Sequence, residues 1–374
     1  MKSLQLQSCL HDSGKIECAL FDVDIPDPGP DEVMVRVEAA PINPSDLGLM
    51  FGVLDTDAAE QGERNGYPSV SLAVPDAMMR AMSSRLNQWL PVGNEGGGTV
   101  VAAGSSDAAQ ALLGKRVGAF GGELFANYRV LPALQCLPLP DDVSAAEGAS
   151  CFVNPMTALG FVETAKMEGH NAIIHAAAAS NLGQMLNRIC IEDGIPLVNI
   201  VRSPQQVELL TKQGATYVLD SSQSSFATDL ADAIEATGAT LAFDPIGGGT
   251  LSNQLLGAME LAAQKRMTTW SRYGSDEHKQ VYIYGMLDPS PMTLTRSYGF
   301  AWSVGGWLLF PFLQKRAGLE RMIAMQQRVV AGLKSTFASN YSDTVTLEAA
   351  LSVDAVRLYG KKATGQKTLI VMGE

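Results

Sequence analysis

The chain has 374 residues, more than one hydrophobic core usually supports, so two domains, or one interrupted by another, are expected. Its 27 basic against 39 acidic residues leave a net charge of −12, and no Lys/Arg-rich segment could track a phosphate backbone. Nucleic acid and anionic membranes are therefore excluded as expected partners. The five cysteines, Cys9, Cys18, Cys136, Cys151 and Cys190, are scattered without a Cys-x-x-Cys pair, which suits a reducing cytosol and argues against a structural zinc lobe. The opening MKSLQLQSCLHDSGKIE is broken by polar residues before a signal-peptide core could form, and the apolar stretch Phe300 to Leu313 is too short to span a bilayer. A soluble cytoplasmic protein is expected.

The first third reads as β-rich. Val33, Val35 and Val37 alternate with Met34, Arg36 and Glu38 after the turn cluster Pro26 to Pro30, the pattern of a half-buried strand. Short strands also fit Gly98 to Ala103, Arg116 to Phe120 and Ala126 to Val130, and that spacing predicts a small barrel or sandwich. From about residue 150 the pattern changes. Asn171 to Ala176, Leu197 to Val201, Tyr217 to Leu219, Thr240 to Asp244 and Val281 to Gly285 are short apolar runs separated mostly by helix-length segments. This is βαβ order, hence an α/β domain with a parallel, doubly wound sheet. A last strand, Lys367 to Met372, could return to the first domain.

HAAAASNLGQ, His175 to Gln184, lies between the first of these strands and a segment with helical periodicity (Leu182, Met185, Leu186, Ile189, Cys190) that Gly194 and Pro196 would end. A dinucleotide site here needs a tight turn, backbone able to approach the pyrophosphate, and a small residue where helix meets strand. Gly183 can serve the third need, while Ala177 and Ser180 stand where glycines are expected. Ser180 and Asn181 add side-chain donors, and Leu182 opens the helix beside them. The alternative is the start of a buried helix. About twenty residues on, the second strand ends VNIVRS, Asn199 to Ser203, with no acid for unphosphorylated ribose. Arg202 there favours the 2′-phosphate of NADPH, its alternative being a plain surface arginine.

With these features in order, the chain resembles the medium-chain dehydrogenase/reductase superfamily in its zinc-free quinone oxidoreductase and enoyl-thioester reductase branches. The resemblance rests on INPSD (Ile42 to Asp46), GNEGGGTVVAAG (Gly93 to Gly104), GKRVGAF (Gly114 to Phe120), NYRVLPALQCLPLPDDVS (Asn127 to Ser144), NPMTA (Asn154 to Ala158), KQGATYVLD (Lys212 to Asp220), FDPIGGGT (Phe243 to Thr250) and KATGQKTLI (Lys362 to Ile370). It implies a GroES-like β-barrel catalytic domain (1–150 and 315–374) interrupted by a Rossmann NADPH-binding domain (151–314), with the nicotinamide in the cleft between them. It also implies that Asn43 and Thr157 approach nicotinamide or substrate, that Gly285 and Met286 form the loop over the nicotinamide side, and that Lys362 lies near the cofactor phosphates. For Asn43 the alternative is a turn former before Pro44.

Two departures carry chemistry. Zinc alcohol dehydrogenases of this superfamily have a histidine where Asn94 stands and a cysteine in the segment that reads INPSD here, so no metal is expected. The enoyl-thioester branch places a proton-donating tyrosine just after the segment LGLMFGVL that ends at Leu54. None stands there, and Tyr67, inside an apparent insertion of about Asp55 to Trp89, is the nearest candidate, its alternative being a packed aromatic. Without a metal to polarise a carbonyl, the expected reaction is NADPH-dependent reduction of a quinone or of an alkene conjugated to a carbonyl. The rivals are a 2-enoyl-thioester reductase and a catalytically silent NADPH-binding module or redox sensor. The expected partners are a small-molecule substrate and further copies of the chain, as a homodimer or homotetramer through Phe300 to Phe312 at the sixth strand, with a buried internal strand as the alternative.

Overall fold

Period-two apolar patterning and tight turns set the early elements of the chain, of which the computed structural model describes residues 1–373. β1 (Lys2–His11) and β2 (Lys15–Asp24) form an antiparallel hairpin. In β3 (Glu32–Pro41) the alternating Val33, Val35 and Val37 are buried while Arg36 is exposed. α1 (Pro44–Met50) starts on a proline, whose missing N–H costs nothing in a first helical turn. The inserted segment contributes β4 (Glu60–Arg64), β5 (Tyr67–Ala73), α2 (Asp76–Ala81) and β6 (Trp89–Pro91). Its hairpin turns on Asn65-Gly66, at φ of 55° and 81°, the left-handed pair that Asn-Gly adopts readily. β7 (Glu95–Ala103), α3 (Asp107–Gln110), β8 (Arg116–Phe120), β9 (Tyr128–Pro132), β10 (Cys136–Pro138) and α4 (Ala145–Gly148) complete this stretch.

The next stretch runs α5 (Val153–Glu168), β11 (Ile173–Ala176), α6 (Asn181–Asp193), β12 (Leu197–Val201), α7 (Pro204–Lys212), β13 (Tyr217–Asp220), α8 (Phe226–Thr237), β14 (Leu241–Asp244), α9 (Leu251–Arg266), β15 (Lys279–Ile283), β16 (Trp302–Gly306), α10 (Leu309–Phe312) and α11 (Leu319–Ala331). The chain closes with β17 (Asp343–Thr346), α12 (Val353–Gly360) and β18 (Thr368–Val371).

The chain divides into two units. Residues Met1–Val153 and Gln326 onward form the first, Asn154–Met325 the second. The sequence marks no return at Gln326, because α11 runs unbroken through that point. Unit 1 holds a five-stranded sheet, β4-β5-β2-β1-β6, and a seven-stranded one, β10-β8-β7-β3-β18-β17 with β9 also on β3. The final strand β18 thus returns to pair with β3. Unit 2 is a parallel sheet in the order β13-β12-β11-β14-β15-β16, the doubly wound Rossmann order. Its apolar core includes Ile174, Val198, Ile200, Ala242 and Val281 from the strands, with Leu230, Ile234, Leu255 and Met259 from α8 and α9.

The apolar segment 300–312, expected at the sixth strand, divides in two. Only Trp302–Gly306 pairs with β15, at the sheet's edge, and Leu309–Phe312 is helical. Pro311 has no N–H to give a strand but fits a helix's first turn.

Candidate dinucleotide site and the buried polar cluster

In unit 2 the turn after β11 is built from alanine and serine. Ala177 has φ of 51°, a left-handed conformation that glycine adopts freely and alanine at a cost. The amide of Ser180 donates to the Ala177 carbonyl (3.0 Å), and that of Ala178 to the Ile200 carbonyl of β12 (3.0 Å), tying the turn to the neighbouring strand. Ser180 caps α6, its hydroxyl accepting from the Gly183 amide at 3.1 Å. A Cβ on Gly183 would lie 2.2 Å from the Ala178 carbonyl oxygen, so only glycine lets helix and turn approach this closely. Leu182 is buried, so its side chain belongs to the core and only its backbone faces the helix start. Gly194, left-handed at φ of 67°, ends the helix. A 13-residue helix therefore directs its N-terminal N–H groups past the strand end, which is what a pyrophosphate requires.

At the end of β12, Arg202 is exposed, with its amide donating to Gln206 Oε1 at 2.9 Å, and Ser203 caps α7. The sequence grouped Asn199 with them. The structure corrects this: Asn199 sits in mid-strand, fully buried, donating from Nδ2 to Asn187 Oδ1 of α6 at 3.3 Å, so it is a core residue without access to a ribose. On the far side of β11, Gly285 approaches Pro245 so closely that a Cβ would stand 2.6 Å from its carbonyl oxygen. The amides of Leu287 and Asp288 donate to the carbonyls of Pro245 and Ile246, zipping the two segments together. Met286, next in the chain, is 62% exposed. Asp244 anchors this arrangement, its carboxylate accepting from the Ile246 and Gly247 amides and the Ser252 hydroxyl.

Beneath this surface lies a pair the sequence did not single out. His175 Nε2 is 2.7 Å from the Tyr284 hydroxyl. Burial lowers the His175 pKa to about 3, so its ring is neutral, and burial holds the Tyr284 phenol well above its usual range. Phe161 packs against both rings. Thr157, on α5 of the same unit, is buried.

In unit 1, Asn43 and Asn94 meet around two buried carboxylates. Asp46, 1% exposed, accepts from the backbone amides of Asn43 and Asn94, both at 2.8 Å. Glu95, wholly buried, accepts from Asn43 Nδ2 (2.9 Å) and from the amides of Phe152 and Val153. Burial pushes the Asp46 carboxyl up to about 7, raises that of Glu95 and lowers the buried Lys367 ammonium to about 8. Lys367 donates to Ser150 Oγ at 2.7 Å. Asn43 is itself 1% exposed and joins α1 to β7. Asn94 directs its side-chain amide to Ser45 Oγ at 2.9 Å.

Tyr67 stands apart from this group, in surroundings that match its alternative as a packed aromatic. It opens β5 opposite Arg64, packs against the β1–β2 core, and its hydroxyl reaches Asp22 of β2 at 3.4 Å. Lys362 follows α12 in a left-handed conformation, φ of 49°, and is exposed. The inserted segment holds that helix: Gln61 donates to the Leu351 carbonyl and accepts from the Val353 amide, and Arg357 donates to the Asp57 carbonyl. Among the described residues no three His, Cys, Asp or Glu side chains are grouped as a metal centre needs, and no helix is long and apolar enough to cross a membrane.

No family model matches the chain. A quinone oxidoreductase of Pseudomonas aeruginosa is 25% identical over 232 residues, 61% of this chain and 62% of that protein. The mitochondrial enoyl-[acyl-carrier-protein] reductase of Rattus norvegicus is 27% identical over 199 residues, 50% of this chain and 44% of its own length. The chain thus spans less than two thirds of either relative. The quinone oxidoreductase of Escherichia coli, solved in complex with NADPH, superposes with a TM-score of 0.69 at 16% identity, covering 98% of this chain and 99% of that one. The homologues and structural neighbours are quinone oxidoreductases and enoyl reductases of the medium-chain dehydrogenase/reductase superfamily. Their fold is the one this chain adopts. The parallel sheet inserted between two β-rich segments follows the arrangement that the motif order implied.

Proposed function

We propose that the chain is an NADPH-dependent oxidoreductase of the quinone oxidoreductase type, acting on a quinone or on an alkene conjugated to a carbonyl without a metal. The observation that carries the reading is the turn at Ala177–Gly183. A left-handed alanine and a glycine whose Cβ would strike backbone make a cradle that a buried helix start would not need. The residues fit the cofactor: the turn and the first residues of α6 would hold the pyrophosphate, Arg202 and Ser203 the ribose 2′-phosphate, and Gly285 and Met286 the nicotinamide side. Bound NADPH would supply hydride. The protein's part is to orient and to exclude water, and quinones and enones ask for little more, since water can deliver the proton.

The metal-free reading is supported by the donor chemistry, because Asn94 presents an amide already bonded to Ser45 in place of a histidine. Five free, buried cysteines are in keeping with a reducing, cytoplasmic setting. The alignment with an enoyl-[acyl-carrier-protein] reductase favours 2-enoyl thioesters as a second substrate class. NADPH oxidation measured against a panel of quinones and enoyl thioesters separates the two, and turnover of neither class with NADPH still bound would leave a silent nucleotide-binding module. We propose in addition that the edge strand β16, beside the exposed Phe300 and Leu308, pairs with a second copy of the chain.

A further inference from the structure

Three polar atoms in the core of unit 2 are buried without a hydrogen-bond partner: His175 Nδ1, Asn187 Nδ2 and Asn199 Oδ1. His175 and Asn199 are register partners on the adjacent parallel strands β11 and β12, so their side chains share one face of the sheet. Asn187 reaches that face from α6 through its bond with Asn199. Three orphaned groups in one native core call for a common explanation, since a buried polar group left unpaired is destabilising.

We infer that Asn187, Asn199 and His175 bind one internal water molecule, and that this water holds His175 as the Nε2–H tautomer. The inventory of donors and acceptors decides the arrangement. The amide pair, joined by one direct bond, leaves one NH2 group and one carbonyl oxygen without any partner. Exchanging O and N in both amides leaves the same two groups, so the count does not depend on how they are drawn. A water there accepts from the amide N–H and donates one proton to the amide oxygen. Its second proton needs an acceptor, and Nδ1 is the remaining candidate of the three. A protonated Nδ1 would instead strand a buried O–H. With Nδ1 accepting, the ring proton is on Nε2 and is donated to the Tyr284 oxygen. Tyr284 then turns its own proton away from the histidine. The water links α6, β12, β11 and the segment after β15 beneath the nucleotide-facing turn, independently of which ligand that turn binds.

The test is the tautomer itself, read from long-range 1H–15N correlations of histidine-labelled full-length protein. The chain has four histidines, and replacing His11, His170 and His278 singly assigns the remaining signals to an untouched His175. The expected spectrum shows His175 neutral with the proton on Nε2, unchanged from mildly acidic to mildly basic pH. A crystal structure at high resolution should show one ordered water within hydrogen-bond distance of all three side chains. A proton on Nδ1, a cationic ring, or two amides bonded twice to each other with no water between them and the histidine would overturn the inference.

Discussion

The Ala178 carbonyl oxygen lies where a Cβ on Gly183 would come within 2.2 Å of it. Helix α6 therefore meets the turn with no room for a side chain, and the replacement Gly183→Ala must push backbone against backbone. Overpacking of this kind costs about 1–3 kcal/mol. The variant should melt earlier than wild type and bind NADPH more weakly, measured by thermal unfolding with and without the nucleotide. Unchanged melting and unchanged affinity would mean that the close approach is not needed.

The converse change is expected at Ala177. Its φ of 51° costs an L residue about 1–2 kcal/mol, of which glycine's greater unfolded freedom returns about half. Ala177→Gly should therefore leave stability equal or raise it by about 0.5–1 kcal/mol, checked by denaturant midpoint. A clear loss of stability would argue against strain at this position.

The cluster in unit 1 gives a pH dependence with a definite sign. Asp46 titrates near 7 in the folded protein against about 4 when unfolded, so between those values the folded state binds more protons and stability falls as pH rises. Glu95, also raised, acts in the same direction. Lys367, lowered to about 8 from about 10.4, acts oppositely: above pH 8 the unfolded state binds more protons and stability rises. From these groups the protein should be least stable around pH 7 to 8. Urea unfolding as a function of pH should show a limb below pH 7 with a slope of up to about 1.4 kcal/mol per pH unit for each group titrating. Asp46→Asn should flatten that limb whatever it does to absolute stability.

Light scattering tests the edge strand. Twice the chain mass is expected, and Phe300→Lys, at a site 81% exposed and therefore tolerant in the monomer, should lower the dimer population. A wild-type monomer would contradict pairing through β16.

Much of unit 2 was legible because its signals are local. The apolar runs at Ile173–Ala176 and Leu197–Val201, the stripe along α6 and the stop at Gly194 each carry their meaning within a dozen residues. Asn199 was misread because the pattern shows where a strand ends but not how deep each residue lies, and its partner Asn187 is on another element. His175 and Tyr284 are 109 residues apart, and Asp46, Glu95 and Lys367 come from three distant segments, so no spacing announces either cluster. The hairpin of the insertion did have a signal, Asn65-Gly66 ahead of the alternating run Tyr67 to Ala73, which would have placed Tyr67 on a strand.

The most direct measurement concerns Arg202, because it decides whether the turn after β11 serves NADPH. The turn is tied to β12 by the bond from the Ala178 amide to the Ile200 carbonyl, which brings the end of that strand beside any nucleotide held at α6. A charge-assisted bond from Arg202 to the 2′-phosphate contributes about 1.5–3 kcal/mol. Fluorescence titration of wild type and Arg202→Ala with NADPH and NADH should show NADPH binding weakened by roughly ten- to more than a hundredfold and NADH binding almost unchanged. Equal affinity of wild type for the two nucleotides, or an equal loss for both in the variant, would contradict the account.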